Sequence, residues 1–260
     1  MGPTEYERSM AVQIRGLVKR FGSLVAVRGV DLDVRRGCFF GLVGPNGAGK
    51  PTTLARVPGL LRPDAGAARV DGVDVWGEPL EARTRMGVLP EGLRLFERLS
   101  GSELLHFTGR LRGMDPAEVK ARSGELLAVL GLADAGDQLV VDYSTGMRKK
   151  VALAAALLHN PAVLFLDEPF EAVDPVSART IREVLRAFTG RGGTVVFSSH
   201  VMDLVERLCD EVAVMAGGRV LAAGPVDELR AGRSLEEVFV ELVGGAAVAG
   251  EGGLDWLGAR

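Results

Sequence analysis

Cys38-Phe39-Phe40-Gly41-Leu42-Val43-Gly44-Pro45-Asn46-Gly47-Ala48-Gly49-Lys50-Pro51-Thr52-Thr53 is the stretch that decides the fold. Its apolar start reads as a buried strand, which breaks into Gly44, Gly47 and Gly49, then Lys50, then a segment able to be helical. Strand, glycine loop and helix in that order form the phosphate-cradling arrangement known as the P-loop. Without a Cβ in the way, the glycines let the loop Gly44-Pro45-Asn46-Gly47-Ala48-Gly49 turn its N–H groups inward. The helix N-terminus adds positive dipole, and Lys50 is long enough to reach β- and γ-phosphates. One position does not fit. The pattern G-x-x-x-x-G-K-[ST] sets a hydroxyl for Mg²⁺ at position 51, where this chain has proline.

Upstream of the loop, residues 12–18 alternate as a half-buried strand does. Residues 19–23 read as a turn, and 24–34 as one or two further strands, with Asp31 and Asp33 on a wet face. The expectation is an antiparallel β-layer ahead of the P-loop, unlike a plain Rossmann start. Downstream, a helix over about 50–59 leads to a turn at Pro63-Asp64-Ala65-Gly66 and short strands over 67–75 and 86–89. From Ser100 to His159 apolar residues such as Leu104, Phe107, Leu111, Val119, Leu127 and Val129 recur at helical spacing. Asp115-Pro116 opens the second helix of this set and Gly131 closes it. Parallel-sheet signals return at 162–166, 194–198 and 212–215, separated by helices over 176–189 and 201–208. Gly217-Gly218 marks a hairpin, and short helices follow near 225–230 and 234–242. The predicted class is α/β, a P-loop fold with an N-terminal antiparallel layer and an inserted helical subdomain.

The 260 residues are 47% apolar and 25% charged, which suits one large soluble domain with a sizeable core. A net charge of −3 argues against a nucleic-acid partner or an anionic membrane surface. Cys38 and Cys209 read as buried core thiols. Residues 1–9 are polar with no apolar run behind them, so no targeting segment is expected. The apolar stretch 151–166 is cut by His159-Asn160-Pro161 into halves too short to span a bilayer. The expected location is cytoplasmic, peripheral to the membrane only through a partner.

Two further segments carry chemistry. In Val163-Leu164-Phe165-Leu166-Asp167-Glu168-Pro169 an apolar strand ends in acids. Asp167 is placed to hold Mg²⁺, and Glu168 to orient or deprotonate an attacking water. Ser144-Thr145-Gly146-Met147 precedes an apolar helix, with Ser144 as a natural N-cap; the segment reads equally as an anion site or as an ordinary capped helix start. Arg148, Lys149 and Lys150 read as a solvated basic face.

Together these segments resemble the ATP-binding subunit of an ABC transporter, over roughly residues 11–240. Phe21 fits the aromatic residue that stacks on adenine, and Gly44 to Thr53 the Walker A loop. Glu91 falls at the Q-loop, Ser144 to Met147 at the family signature, and Val163 to Glu168 at Walker B with its catalytic glutamate. Asp174 falls in the D-loop, and His200 at the switch histidine. The resemblance implies one domain over 11–243, with a RecA-like core at 11–95 and 160–223. It also implies a helical subdomain at about 96–159, C-terminal helices at 224–243, a disordered start at 1–10 and a flexible tail at 244–260. It further implies ATP and Mg²⁺, with Asp167 and Glu91 on the metal, and Glu168, His200 and Glu91 as catalytic residues. Two such subunits, alike or different, would pair head to tail, each ATP between one Walker A loop and the other's signature, and drive separate transmembrane permease subunits. The segment 95–114 resembles the export-type subfamily.

Departures from the family pattern bear on rate. Pro51 removes a metal ligand and an N–H donor, a loss of about 2–4 kcal/mol in the transition state, or roughly 30- to 1000-fold. Glu91 replaces glutamine, the signature reads Ser-Thr-Gly-Met, and Phe170 and Ala172 replace a small polar residue and a glycine. An alternative function is therefore a hydrolysis-impaired regulatory or structural subunit. A soluble relative in DNA repair or translation would bring a second ATPase domain, a long coiled coil or zinc cysteines, and this sequence has none.

Overall fold

A hairpin opens the fold. β1 (Met10–Phe21) and β2 (Leu24–Arg35) are antiparallel, joined by Gly22 and Ser23 alone. The expected turn over 19–23 is thus shorter. Lys19, Arg20 and Phe21 stay in the ladder because Phe21 pairs with Leu24 and Gly22 takes the positive φ that a two-residue turn demands. The computed structural model describes residues 9–59, 61–90, 92 and 94–244. Glu91 and the segments 1–8 and 245–260, with Trp256 and Leu257, lie outside the described residues. Met10, expected in a disordered start, is paired with Arg35 at the edge of the hairpin.

β4 (Ala65–Val70) and β5 (Val73–Asp74) complete a four-stranded antiparallel sheet in the order β2-β1-β4-β5. A second sheet comprises β3 (Phe39–Val43), β6 (Met86–Leu89), β7 (Val163–Leu166), β8 (Thr194–Ser199), β9 (Glu211–Ala216) and β10 (Arg219–Pro225). Its order is β10-β9-β3-β8-β7-β6, parallel except for the edge strand β10. β3 and β7 are buried at every residue because both faces of this sheet are covered, hence their unbroken apolar runs.

Helices fill the crossovers. α1 (Lys50–Arg56) follows β3, and α2 (Pro79–Thr84) precedes β6. α3 (Gly101–Leu111), α4 (Pro116–Val129) and α5 (Thr145–Leu157) form the helical segment between β6 and β7. Ser100 and Glu103 close a capping box on α3, and Asp115 caps α4. α6 (Pro175–Gly190), α7 (Met202–Leu208), α8 (Val226–Arg230) and α9 (Leu235–Gly244) complete the chain. Phe107, Leu111 and Val129 keep the helical period but face solvent.

Two cores result. Phe40, Leu42 and Phe165 of the parallel sheet meet Ile14, Val34 and Val70 of the antiparallel one. Phe39, Leu164 and Phe197 meet Leu105, Leu153 and Leu185 of the helices, with the Phe39 and Phe197 rings edge to face at 5.5 Å. Sandwiched between two cores, the parallel sheet has only its strand ends open.

Candidate nucleotide site at the strand ends

The glycine loop leaves the C-terminal end of β3 and is pressed from two sides. A Cβ on Gly44 would lie 2.3 Å from the Met215 carbonyl oxygen of β9. Gly49, at φ +99°, caps α1, and a Cβ there would lie 2.6 Å from the Ala26 carbonyl oxygen of β2. Gly218 of the β9–β10 turn donates its N–H to the Ala48 carbonyl at 3.0 Å. Only glycine tolerates such approaches, so the loop is braced by both sheets. Lys50 is buried and bends over the loop, donating to the carbonyl of Gly44 and, at 3.4 Å, to that of Pro45.

The acids stand beside this loop because of strand register. β8 lies between β3 and β7, with Val43 opposite Ser199 and Leu166 opposite Phe197. The residues just beyond β3, β7 and β8 therefore share one edge: Gly44, Asp167 with Glu168, and His200. Asp167 is only 7% exposed and accepts from the Ser198 hydroxyl. Its N–H reaches the Leu89 carbonyl at 2.8 Å, tying the segment after β7 to the end of β6. Glu168 gives its N–H to Ser198 Oγ at 2.9 Å, and its carboxylate lies 3.1 Å from His200 Nδ1. The Glu168 backbone is left-handed, φ +43°, uncommon for a side-chain-bearing residue and concentrated at functional sites.

The start of α5 overturns one expectation. Arg148-Lys149-Lys150 is not a solvated basic face. Lys150 is buried, Arg148 bonds Glu97 at 2.5 Å, and Lys149 donates to the main-chain carbonyl of Glu168. The physical reason is that α5 is buried along most of its length, which takes Lys150 out of solvent and brings Lys149 to the residues just beyond β7. Burial draws the Lys149 ammonium down from its ordinary value, against the pull of Glu171, Glu168 and Asp167. Lys149, Glu171 and Asp167 line a cleft of about 250 Å³ with Leu89, Thr145 and Arg148. Ser144 caps α5 through the Met147 N–H at 3.3 Å, and Ser144 and Thr145 are exposed. Gly146 is buried, and a Cβ there would sit 2.8 Å from Asp174 Oδ2. Asp174 caps α6 through Val176 and Ser177, and those hydrogen bonds, Ser177 first, hold its carboxyl below the usual range.

The other expected residues are more scattered. Phe21 ends β1 half exposed, with the Lys19 ammonium 5.7 Å from its ring centroid. Pro51 is exposed in the first turn of α1, and Thr52 is half-buried beside it. The Thr53 hydroxyl faces the Met215 sulfur at 4.0 Å inside the core. Magnesium takes one or two carboxylates and completes its shell with phosphate oxygens and water. Asp167 supplies a carboxylate at this edge, Pro51 supplies no hydroxyl, and no larger metal-ligating cluster stands among the described residues. That donor set fits a cation carried in on phosphates rather than a protein cage.

Sequence reasoning missed Ser198 and Lys149. Ser198-Ser199 is a polar pair closing an otherwise apolar strand just before His200, a signal that was available. Lys149 carried no such signal, since only packing takes it out of solvent.

Comparisons with known proteins agree on one family. Residues 27–171 match the family described as ABC transporter. The chain is 42% identical over 220 residues to the daunorubicin/doxorubicin resistance ATP-binding protein DrrA of Streptomyces peucetius, covering 85% of this chain and 67% of that one. It is 38% identical over 252 residues to a fluoroquinolones export ATP-binding protein of Mycobacterium tuberculosis, covering 95% and 82%. A solved ATP-binding subunit of an ABC transporter superposes with a TM-score of 0.83 at 30% identity, over 89% of this chain and 99% of that one.

Proposed function

The chain belongs to the ABC transporter family as an ATP-binding, ATP-hydrolysing subunit that works with membrane permease subunits, and from that premise we propose that it powers export through the strand-end site described above. The names of its relatives, daunorubicin/doxorubicin resistance and fluoroquinolones export, support export of a small drug-like molecule. No helix among the described residues is long and apolar enough to cross a membrane, in keeping with a path formed by other subunits.

The observation that carries the site assignment is the meeting of glycine loop, Asp167, Glu168 and His200 at the ends of three adjacent parallel strands. The loop N–H groups and Lys50 bind the phosphates, and Phe21 stacks on the base. Asp167 holds Mg²⁺ arriving with ATP, with Glu91 as a second candidate; the cation neutralises phosphate charge when bound. Glu168 accepts the proton of the attacking water, and His200, hydrogen-bonded to it, fixes its direction and contacts the γ-phosphate. The exposed start of α5, Ser144 and Thr145, faces the ATP of a second subunit, which is a copy of this chain or a relative, and Asp174 braces that turn.

Pro51 favours a slower enzyme rather than an inert one, since Asp167, Glu168 and His200 are all present. Mg²⁺-dependent ATP turnover of the natural chain beside Glu168→Gln tests the assignment. The variant is expected to keep ATP binding and lose at least about 100-fold in kcat. It should also dimerise on ATP by light scattering. Wild-type turnover in Glu168→Gln would overturn the role given to Glu168. Efflux in vesicles with the cognate permease tests direction, and ATP-driven uptake into the cell interior would overturn export.

A further inference from the structure

With Glu168 read as the water-activating carboxylate, we propose that Lys149 is the positioning residue that holds it in its reactive conformation. Glu168 has the left-handed backbone noted above, at φ +43°. Such a conformation is strained for a residue with a side chain and persists only when neighbours over-determine it. Two neighbours from other elements do so here, beside the local turn in which the Glu171 N–H reaches the Glu168 carbonyl at 3.2 Å. Ser198 Oγ accepts the Glu168 N–H at 2.9 Å from the β8 side, and the Lys149 ammonium donates a hydrogen bond to the Glu168 carbonyl from the α5 side. With both ends of the residue held, its side chain leaves toward His200, 3.1 Å away.

The ammonium of Lys149 is committed to this carbonyl and stands among the carboxylates of Glu171, Glu168 and Asp167. A lysine so placed acts on the protein backbone and not on a phosphate. It also joins two parts of the fold. Lys149 belongs to the second turn of α5, two residues after Met147, whereas Glu168 lies two residues beyond the end of β7 of the parallel sheet. The turn that begins with Ser144 and the carboxylate that activates water are thereby linked within one subunit by a single charge-assisted hydrogen bond. Displacing α5 from β7 leaves the Glu168 carbonyl to the Glu171 N–H alone and loosens the constraint on the side chain.

Steady-state ATP turnover of the full chain as Lys149→Met, Lys149→Arg, Glu168→Gln and wild type tests this. Lys149→Met removes the donor at similar length. It is expected to lower kcat by about 10- to 100-fold, the range set by misplacing a reacting group by an ångström or less, with KM for ATP within about twofold. Lys149→Arg keeps a charged donor and is expected to recover most of kcat. A merely structural lysine would lower ATP affinity and the unfolding midpoint together and would not separate kcat from KM. Wild-type kcat in Lys149→Met with Glu168→Gln inactive would overturn the positioning role alone. Full activity in Glu168→Gln would overturn it together with the reading of Glu168. Should Lys149→Met fail to fold, Lys149→Gln, too short to reach the carbonyl, gives the same division: lowered kcat at constant KM supports the role, and unchanged kcat overturns it.

Discussion

The Ser198 hydroxyl on β8 donates to Oδ1 of Asp167 at the end of β7, and both groups are buried. The same oxygen accepts the N–H of Glu168 at 2.9 Å, so one short side chain orients both acids of the site. Ser198→Ala leaves a part-buried N–H without its acceptor, at a cost of about 1–3 kcal/mol in stability. Turnover is expected to fall about tenfold while binding of Mg²⁺-free ATP stays within about twofold, because Ser198 orients the two acids. Urea titration and single-turnover hydrolysis check the two halves separately.

Pro51 is exposed in the first turn of α1, where proline fits and a serine meets no obstruction. Pro51→Ser is therefore expected to leave stability within about 0.5 kcal/mol of the natural chain. Restoring the hydroxyl and N–H should raise kcat by about tenfold or more and lower the Mg²⁺ concentration for half-maximal rate. Turnover titrated with Mg²⁺ at fixed ATP measures both. Equal rates in the two chains would mean that position 51 does not limit hydrolysis.

Gly49 and Gly47 separate close approach from backbone strain. A Cβ on Gly49 would lie 2.6 Å from a β2 carbonyl at φ +99°, whereas one on Gly47, at φ +80°, meets nothing within 4 Å. Gly47→Ala is expected to cost about 1 kcal/mol from the left-handed backbone. Gly49→Ala should cost about 3 kcal/mol or more and abolish ATP binding, because β2 and the loop cannot both keep their places. Thermal unfolding with and without ATP distinguishes them.

His159 supplies a pH dependence. It packs under β6 with Nε2 2.9 Å from the Met86 carbonyl, and burial, then Arg112, lowers its pKa from 6.5 to about 4. The unfolded chain therefore binds a proton before the folded one does. The stabilising contribution is complete above pH 6.5 and is lost as pH falls toward about 4. Its slope is at most about 1.4 kcal/mol per pH unit, reduced by the solvent that still reaches the ring. Denaturant unfolding between about pH 7.5 and 4.5 should show a shallower loss in His159→Gln than in the natural chain.

How much of this was legible beforehand divides along a physical line. The glycine loop, the acids that end β7 and the caps on α3, α4 and α6 are local. Each follows from propensities and spacing within a dozen residues, and so could be read from the chain alone. Strand order was not read from the chain: apolar runs alternating with helices leave a handful of parallel arrangements, and packing selects β10-β9-β3-β8-β7-β6. The turn at Lys19 to Ser23 was read too long, since pairing of Phe21 with Leu24 depends on a partner strand.

By itself the amino-acid sequence determined the P-loop, the ordered motifs and hence the family. Tertiary structure alone decided what holds Asp167 and Glu168. Ser198 lies 31 residues from Asp167, and Lys149 lies 19 from Glu168. A serine closing a strand and a lysine opening a helix have the same composition whether they face water or a backbone carbonyl. The difference arises only when β8 inserts between β3 and β7 and α5 is buried against the sheet. Desolvation then makes those two hydrogen bonds costly to leave unmade.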